Sequence, residues 1–384
     1  MKSFKWLSLI LVLVTVFGLF SVVQGAPKQI TLQIIDVAGT KQLLGGAIDA
    51  FAAKNPGVKI DYILGTAPEL PAKIKAQQMA GNVETAMVLT GYDALGAGFV
   101  QRIWERIYPE NKKYFPNLEK NYIPAARASF KLFEGYGVTV AWCPGGPMFT
   151  YNPDKVKNVP NTAAELLEWC KANPGKFMYA RPANSGPGRA FLQGLPYILG
   201  DKNPKDPKTW DKTWAYLKEL DQYIDYYPSG TGITFRELGE GTRWMLASHL
   251  GWDMNQRILG TIPANSQAFF LDKTTWVNDS HFACIPKGLN KQHKQLALEL
   301  IAWILKPEMQ AFTYDNGYFY PGPAVANVPI AMAPADSQKS VKAAMRPAYD
   351  EAIKKYKSTT QLDAAELTQA CEMWDKLVGA KIKK

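Results

Sequence analysis

The residues with the clearest chemical potential form a short loop, Asn184-Ser185-Gly186-Pro187-Gly188-Arg189, followed by an apolar stripe at helical spacing. A Ser/Gly turn that opens a helix leaves several backbone N–H groups unpaired, and the helix dipole adds partial positive charge at the same end. Such a helix start is a ready site for an anion. The alternative is that Ser185 caps the helix and that nothing binds there. We predict ligand contacts for Asn184, Ser185, Gly186, Gly188 and Arg189.

A second pair of neighbours, Trp252 and Asp253, places an aromatic ring beside a carboxylate. This combination suits an amine or a ring cation, through cation–π attraction and a charge-assisted hydrogen bond. The loop and this pair therefore point to ligands of opposite charge. A zwitterion or a phosphorylated cation would satisfy both, and the sequence leaves the choice open.

The first part of the chain has the pattern of a parallel sheet. The apolar run Ile30–Val37 predicts a strand, a helical stripe runs from Leu43 to Phe51, and alternation from Val58 predicts the next strand. Ligands of such α/β sheets bind beyond the carboxyl ends of the strands. The residues at those ends are either ligand contacts or plain turn residues: Gly39, Thr40, Thr90, Gly91 and Tyr92.

Two local patterns predict helix starts in the middle of the chain. Thr162 and Glu165 stand at capping-box spacing ahead of an apolar stripe, and Thr234 and Glu237 repeat that spacing before Leu238–Ala247. Each pattern predicts a helix directly after it.

Length and composition indicate a globular protein of about two domains, because the chain has 384 residues, of which 47% are apolar and 20% charged. The formal charge is +10, but Lys and Arg are scattered, so nucleic acid is not a predicted partner. There is no GxSxG, HExxH or Walker motif, and the only three histidines are widely spaced. We therefore predict neither a metal nor a cofactor.

The amino terminus has the pattern of a secretory signal. Lys2 and Lys5 precede an apolar run from Trp6 to about Val23, and small residues follow, so we predict cleavage after Gly25. An uncleaved membrane anchor is the alternative reading. No cysteine lies near the cleavage site, so no lipid anchor is expected.

The segment Tyr136–Val156 alternates like a strand, breaks at Pro144-Gly145-Gly146-Pro147 and then resumes. Together with Pro160-Asn161-Thr162, it resembles the crossover segment of bacterial extracellular solute-binding proteins of ABC importers, related to family 1. Further stretches match in the same order: Phe51–Ile60, Asp279–Gly288, Leu305–Ala311 and Asn316–Pro323. The resemblance runs from about Ile30 to about Pro329.

This resemblance implies an α/β, two-lobed periplasmic-binding-protein fold of type II, in which each lobe has a mostly parallel sheet flanked by helices. Its implied boundaries are a signal peptide over 1–25, lobe 1 over 26–140, lobe 2 over 141–280, a return to lobe 1 over 281–335 and carboxy-terminal helices on lobe 2 over 336–384. The implied location is the periplasm, and the implied partners are a small solute and a membrane permease, with the protein as a monomer.

The resemblance also assigns Trp252 and Asp253 to the ligand-facing surface of lobe 2, as in polyamine and thiamine binders. Trp142, Glu237 and Tyr318 complete the candidate ligand contacts. Tyr226-Tyr227 invites comparison with the tyrosine pair of ferric-ion binders, but Gly251-Trp252-Asp253 falls nearer that pair's place, so iron is disfavoured.

Hinge closure around a solute is the mechanism that the resemblance implies, with no enzymatic activity. A secreted hydrolase using the same cleft and a sensor-coupled binding domain are the alternatives. If the carboxy-terminal tail packs on lobe 2, as in relatives, Cys170 could pair with Cys371 and Cys143 with Cys284 at the hinge. The four cysteines alone allow three pairings.

Overall fold

The computed structural model describes residues 29–379, and the predicted signal peptide lies outside them. In chain order the strands are β1 Ile30–Asp36, β2 Val58–Leu64, β3 Thr85–Thr90, β4 Gly137–Gly146, β5 Met148–Tyr151, β6 Phe177–Met178, β7 Met245–Ser248, β8 Gln267–Phe269, β9 Trp276–Cys284 and β10 Ser358–Thr359. The α-helices are α1 Thr40–Lys54, α2 Leu70–Met79, α3 Tyr92–Val100, α4 Leu118–Asn121, α5 Pro124–Leu132, α6 Ala163–Ala172, α7 Gly186–Leu199, α8 Asp211–Leu220, α9 Thr231–Gly239, α10 Leu250–Ile258, α11 Lys291–Ile304, α12 Pro307–Gln310, α13 Ala335–Ala344, α14 Pro347–Lys355 and α15 Ala364–Trp374.

The strands form two sheets, one in each lobe. In lobe 1 the order is β10-β9-β3-β1-β2, with β4 also paired to β9. The predicted βαβ start is confirmed, because β1 pairs with β2 and with β3 in parallel. The long strands β4 and β9 run antiparallel to each other.

Lobe 2 has a smaller sheet of order β6-β7-β5-β8. Here β5 pairs antiparallel with both β7 and β8, and only β6 and β7 are parallel. The prediction of a mostly parallel sheet is therefore wrong for this lobe. The reason is that the chain enters lobe 2 by a strand instead of a βαβ unit.

Two connections join the lobes. The first is Tyr136–Val156, which pairs with β9 through β4 and then joins the second sheet through β5, as the crossover assignment implied. The second runs between β8 in lobe 2 and β9 in lobe 1, so the chain is back in the first sheet by Trp276.

The carboxy-terminal helices contact both lobes. Helix α13 packs on α10 of lobe 2, whereas β10 pairs with β9 and α15 lies along α3 of lobe 1. The predicted packing of the tail on lobe 2 thus describes only part of its contacts. Within residues 29–379 no helix is both long and apolar enough to span a bilayer.

The local helix signals had different outcomes. The Thr162 cap is present, since its hydroxyl accepts from the N–H of Glu165 and opens α6. The helix predicted over Leu238–Ala247 is wrong, because α9 already begins at Thr231 and Met245–Ser248 is strand β7. A short apolar run does not distinguish a buried strand from a helix.

All four cysteines are free, so the two implied disulfides are absent. Cys143 lies opposite Asp279 in the β4–β9 ladder, whereas Cys284 lies opposite Gly137. Asp279 and Cys284 are five residues apart along β9, which corresponds to roughly 16 Å. Cys143, opposite Asp279, is therefore too far from Cys284 to form a disulfide. Cys371 lies on α15 near Arg189, while Cys170 lies on α6 in the core of lobe 2.

Candidate functional site

Three helices of lobe 2 begin at the same place, facing lobe 1. The hydroxyls of Ser185 and Thr231, at the starts of α7 and α9, are 2.7 Å apart. A Cβ atom added to Gly186 would lie 3.5 Å from Nε2 of His249, the residue that precedes α10. Ser185 caps α7, as the alternative to a ligand role held, by accepting from the N–H of Gly188 at 3.1 Å. The starts of α9 and α10 have no side-chain cap.

Lobe 1 presents two helix starts of its own, and each carries a carboxylate. Asp36 accepts from the N–H of Thr40 at 2.9 Å and of Lys41 at 3.0 Å, at the start of α1. Asp93 lies in the first turn of α3 and accepts from the N–H of Ala94. A carboxylate offsets the partial positive charge of a helix start. The two lobes therefore meet with opposite electrostatic character.

Arg189 bridges the lobes. It is only 4% exposed, and its Nη1 lies 2.9 Å from Oδ2 of Asp93. Burial alone would lower the pKa of Arg189, but the charges of Asp93 and Asp279 raise it, so the guanidinium stays protonated. Its Nε atom is buried without a hydrogen-bond partner among the described residues. Leaving such a donor unpaired costs about 1–3 kcal/mol, so this nitrogen is available for a ligand acceptor.

The sequence patterns did not single out three residues of this site: Asp279 and His281 on the joining strand β9, and His249 between β7 and α10. Nε2 of His249 lies 3.2 Å from Oδ2 of Asp279, and Nδ1 of His281 lies 2.9 Å from the hydroxyl of Thr40. Asp279 and His281 alternate along β9, which places both side chains on one face. For Asp279 and His281 the available signal was their location in the return strand. His249 had none, since no motif spacing links the three residues.

Charge at this cluster is controlled by burial and by neighbours. Burial lowers the pKa of His281 to about 4, so its ring is neutral at pH 7. Burial alone would raise the pKa of Asp279, but the hydrogen bond with His249 and the charge of Arg189 outweigh it and lower the pKa. Burial also raises the pKa of Cys143 well above its usual range. The sulfur of this cysteine lies 3.8 Å from Nε2 of His249.

An aromatic contact closes one end of the cleft. Trp252 of α10 stacks on Phe235 at 5.6 Å between ring centroids and meets the ring of Tyr318 of lobe 1 at 5.3 Å. The Tyr318 hydroxyl donates to the carbonyl of Ala38. A Cβ atom on Gly39, which has a left-handed backbone, would lie 3.1 Å from the same hydroxyl oxygen. The predicted residues Gly39, Tyr318 and Trp252 therefore lie together.

Asp253 does not share this position. It is fully buried, and its carboxylate accepts from Thr150 at 2.7 Å, from Arg257 at 2.8 Å and from Tyr349. Successive helical residues point about 100° apart, so Asp253 turns inward while Trp252 faces the cleft. Its hydrogen-bonding capacity is used within the protein, so Asp253 does not offer Trp252 a free carboxylate for an amine.

Other predicted residues also have structural partners. Glu237 lies toward the far end of α9 and pairs with Arg243 at 2.8 Å. Tyr92 is buried and donates to Ser129 at 2.6 Å inside lobe 1. Asn184 donates to the carbonyl of Ser229 at 2.8 Å beside the α7 start.

The remaining predicted residues lie at the edges of the cleft. Thr90 ends β3 and is buried, and Gly91 follows it, with a hypothetical Cβ 3.7 Å from Nη2 of Arg189. Gly188 lies in α7 and is packed against the carbonyl of Ala180, which precedes that helix. Trp142 on β4 is half-buried, and its indole N–H is enclosed without a partner in the described part of the chain. Across residues 29–379, no group of three or more His, Cys, Asp or Glu side chains could hold a metal ion.

Known proteins share this architecture. The solved structure of AfuA from Actinobacillus pleuropneumoniae, with fructose-6-phosphate bound, superposes with a TM-score of 0.67 at 17% identity, covering 91% of this chain and 99% of AfuA. The spermidine/putrescine substrate-binding protein PotD from Streptococcus pneumoniae superposes with a TM-score of 0.62 at 15% identity, covering 90% and 98%. At these identities the similarity shows a shared two-lobed fold.

Sequence comparison places the chain in a family. Protein YnjB of Escherichia coli (strain K12) is 28% identical over 183 residues, which cover 43% of this chain and 46% of YnjB. The chain thus spans just under half the length of this relative. The family described as bacterial extracellular solute-binding protein matches residues 46–345, the greater part of the chain. The protein therefore belongs to the family of bacterial extracellular solute-binding proteins.

Proposed function

We propose that this protein captures a small solute bearing a carboxylate or phosphate group between its lobes and delivers it to a membrane permease. The solute binds to the helix starts of lobe 2, and closure of lobe 1 adds contacts that the open form lacks. The protein acts in the periplasm as a monomer. An anionic ligand replaces the broader range of amines, zwitterions and anions that the sequence left open.

The observation that carries this proposal is the meeting of three helix starts of lobe 2 beside a buried arginine with an unpaired donor. The starts of α7, α9 and α10 meet within a few ångströms, and none of them has a carboxylate at its N-cap. Asp253 lies in the first turn of α10 but is paired with Arg257, and Asp279 lies beside Gly186 at the start of α7. The buried guanidinium of Arg189 lies beside them with a free Nε donor. Helix starts and arginine are both favourable partners for an anion, and their effects add in a water-poor cleft.

A cationic ligand has less support. The carboxylate predicted to bind it, Asp253, is occupied by Arg257 and Tyr349. Asp36 has each carboxylate oxygen on a backbone N–H group, and Asp93 pairs with Arg189. Among the relatives, AfuA with its bound sugar phosphate supports an anionic group, whereas the name of PotD indicates polyamines.

A catalytic role has no favourable geometry. Cys143 and Asp279 both approach Nε2 of His249, at 3.8 and 3.2 Å, whereas a catalytic triad needs the nucleophile and the carboxylate on opposite nitrogens of the ring. In addition, burial and the nearby charge of Asp279 raise the pKa of the Cys143 thiol, so it remains protonated and is a poor nucleophile.

A thermal-shift screen of the mature protein tests the proposed function. The panel holds sugar phosphates, phosphonates, amino acids, dicarboxylates, thiamine and its phosphates, and polyamines. A ligand at a hundred times its dissociation constant adds about 2.7 kcal/mol to stability, which is readily seen. We expect hits among the anions. Stabilisation by polyamines alone would contradict the proposed ligand class, and turnover of a chromogenic ester or phosphate would revive the hydrolase alternative.

A further inference from the structure

The amino-terminal end of helix α15 is anchored to lobe 2. The backbone N–H of Leu362 donates to the side-chain oxygen of Gln193 in α7 at 2.8 Å. The preceding residue, Gln361, accepts from Gln193 at 3.3 Å through its side chain and from Lys205 at 3.2 Å through its carbonyl. Three hydrogen bonds thus join the entry to α15 to lobe 2, and a fourth, from the side-chain amide of Gln361 to Asp279 at 2.8 Å, joins it to strand β9 at the junction of the lobes.

The other end of α15 is anchored to the same lobe. The indole of Trp374 donates to the hydroxyl of Tyr179 at 3.0 Å and packs edge-on against the ring of Tyr227 at 4.9 Å. Asp375, the next residue, pairs with Arg181 at 3.0 Å. A fully buried tryptophan holds a helix firmly, because it removes a large apolar area from water.

The contact of α15 with lobe 1 has a different character. The helix lies along α3, where a Cβ atom on Gly96 would be 3.4 Å from the Cβ of Ala364. Within the described residues, no hydrogen bond or ion pair joins α3 to α15. The contact is apolar: Tyr92 and Leu95 of α3 belong to the same buried hydrophobic cluster as Ala364 and Leu367 of α15. Because it has no hydrogen bond or ion pair in the described part of the chain, separating the two helices breaks no polar contact between them, whereas leaving lobe 2 would break several.

A pocket of about 230 Å³ lies between α3, the start of α7 and α15. Its lining includes Asp93 of lobe 1, Arg189 of lobe 2 and Cys371 of α15. The helix thus covers the back of the ion pair that joins the two lobes.

We propose that α15 is a strap that moves with lobe 2 and leaves α3 whenever the lobes separate. In the closed form it seals the rear of the cleft behind Asp93 and Arg189. In the open form it exposes the pocket and its Cys371 thiol. The inference rests on the lobe closure of the proposed function but does not depend on the identity of the ligand.

A disulfide between α3 and α15 tests this strap. Gly96→Cys and Ala364→Cys are combined in a Cys371→Ser background, because their Cβ separation of 3.4 Å is close to that of disulfides. Hydrogen exchange is measured at the backbone amides of residues 250–252, which face the cleft, in the oxidised and reduced forms. We expect oxidation to slow this exchange at least tenfold, because these amides exchange when the lobes open.

Two controls distinguish the effect of locking α15 to α3 from the effect of a new cysteine or of a cross-link elsewhere. The single variants Gly96→Cys and Ala364→Cys should show the same exchange with and without reductant. Arg181→Cys and Asp375→Cys joined by a short bis-maleimide linker, again in the Cys371→Ser background, tether α15 to lobe 2. That tether should leave exchange at 250–252 unchanged.

Equal exchange at residues 250–252 in the oxidised and reduced double variant would contradict the proposal that α15 is a strap. In that case α15 would stay on α3 in the open form. If that variant does not fold, Ala97→Cys and Thr368→Cys, which line the same pocket, are joined by the bis-maleimide linker and measured in the same way. The exchange readout needs no ligand, whereas the anionic solute is tested by the thermal screen, so the two proposals fail separately.

Discussion

Asp93 and Arg189 form an ion pair that joins the two lobes, with 2.9 Å between Oδ2 and Nη1. Asp93 belongs to α3 and Arg189 to α7, so the pair exists only while the lobes are closed. The carboxylate occupies one edge of the guanidinium and leaves Nε free. Arg189 can therefore hold lobe 1 and an anionic ligand at the same time.

Replacing Arg189 by glutamine should weaken binding of an anionic ligand by about 1.5–3 kcal/mol, the range for hydrogen bonds to charged groups. The measurement is calorimetric titration with the strongest anionic hit of the thermal screen. Asp93→Asn is the matched control, because it removes the interlobe partner and keeps the guanidinium. We expect this control to lose less than threefold in affinity. Equal losses in both variants would assign Arg189 to lobe closure alone.

Gly251 is a second point of close approach between the lobes. It lies in the first turn of α10, where a Cβ atom would overlap the carbonyl oxygen of Tyr318 in lobe 1. Gly251→Ala should hold the lobes apart and weaken ligand binding at least tenfold, because backbone atoms on both sides cannot yield as a flexible side chain would. Titration calorimetry measures the loss.

Gly232→Ala provides the control for this variant, since Gly232 also lies in the first turn of a lobe 2 helix and has no atom within 4 Å of its hypothetical Cβ. Its ligand affinity should match that of the wild type. An unchanged affinity in Gly251→Ala would mean that ligand binding does not require this closed arrangement.

Asp253 is expected to matter for stability and not for binding. Its carboxylate and the guanidinium of Arg257 are both nearly inaccessible to water, and Tyr349 completes the cluster. Asp253→Asn leaves the arginine charge buried without its partner, which costs about 3–5 kcal/mol in such pairs. Denaturant unfolding measures the loss.

The same variant decides whether Asp253 binds the ligand or only stabilises the fold. Ligand affinity, measured at a temperature where the variant is folded, should stay within threefold of the wild type. A selective loss of amine binding with unchanged stability would restore Asp253 as a ligand contact.

Local patterns predicted the parts of the fold that depend on neighbouring residues. The βαβ start follows from hydrophobic spacing, and the Ser185 cap of α7 follows from a short turn motif. The α9 start was missed because Gly230 precedes it without a capping side chain. Met245–Ser248 is a strand because it lies between β5 and β6, a fact of tertiary pairing.

The site itself depends on contacts that no local pattern contains. His249 and Asp279 are thirty residues apart in sequence, and His281 and Thr40 are separated by 241 residues. Asp279 and His281 lie on β9, whereas Thr40 follows β1 and His249 follows β7, so these groups meet only because strands of both sheets end at the same place. The orientation of Asp253 was predictable in principle, since two adjacent helical residues cannot both face one cleft.

His281 should make the stability of the protein depend on pH. Burial lowers its pKa to about 4 in the native protein, whereas a histidine in an unfolded chain has a pKa of about 6.5. As the pH falls from 7, the unfolded chain takes up a proton that the native state excludes. The stability contributed by the neutral ring is therefore complete above about pH 6.5 and is lost as the pH falls toward 4. Between pH 7 and pH 5 the loss should be about 2 kcal/mol.

Denaturant unfolding at pH 7 and pH 5 measures this loss, and His281→Gln isolates it. The variant keeps a polar side chain beside Thr40 but cannot titrate, so its stability should fall by about 2 kcal/mol less than that of the wild type over the same interval. His293→Gln, at the half-exposed start of α11, is the matched control and should retain the wild-type pH dependence. If His281→Gln and the wild type lose equal stability, His281 does not stay neutral in the native protein over this pH interval.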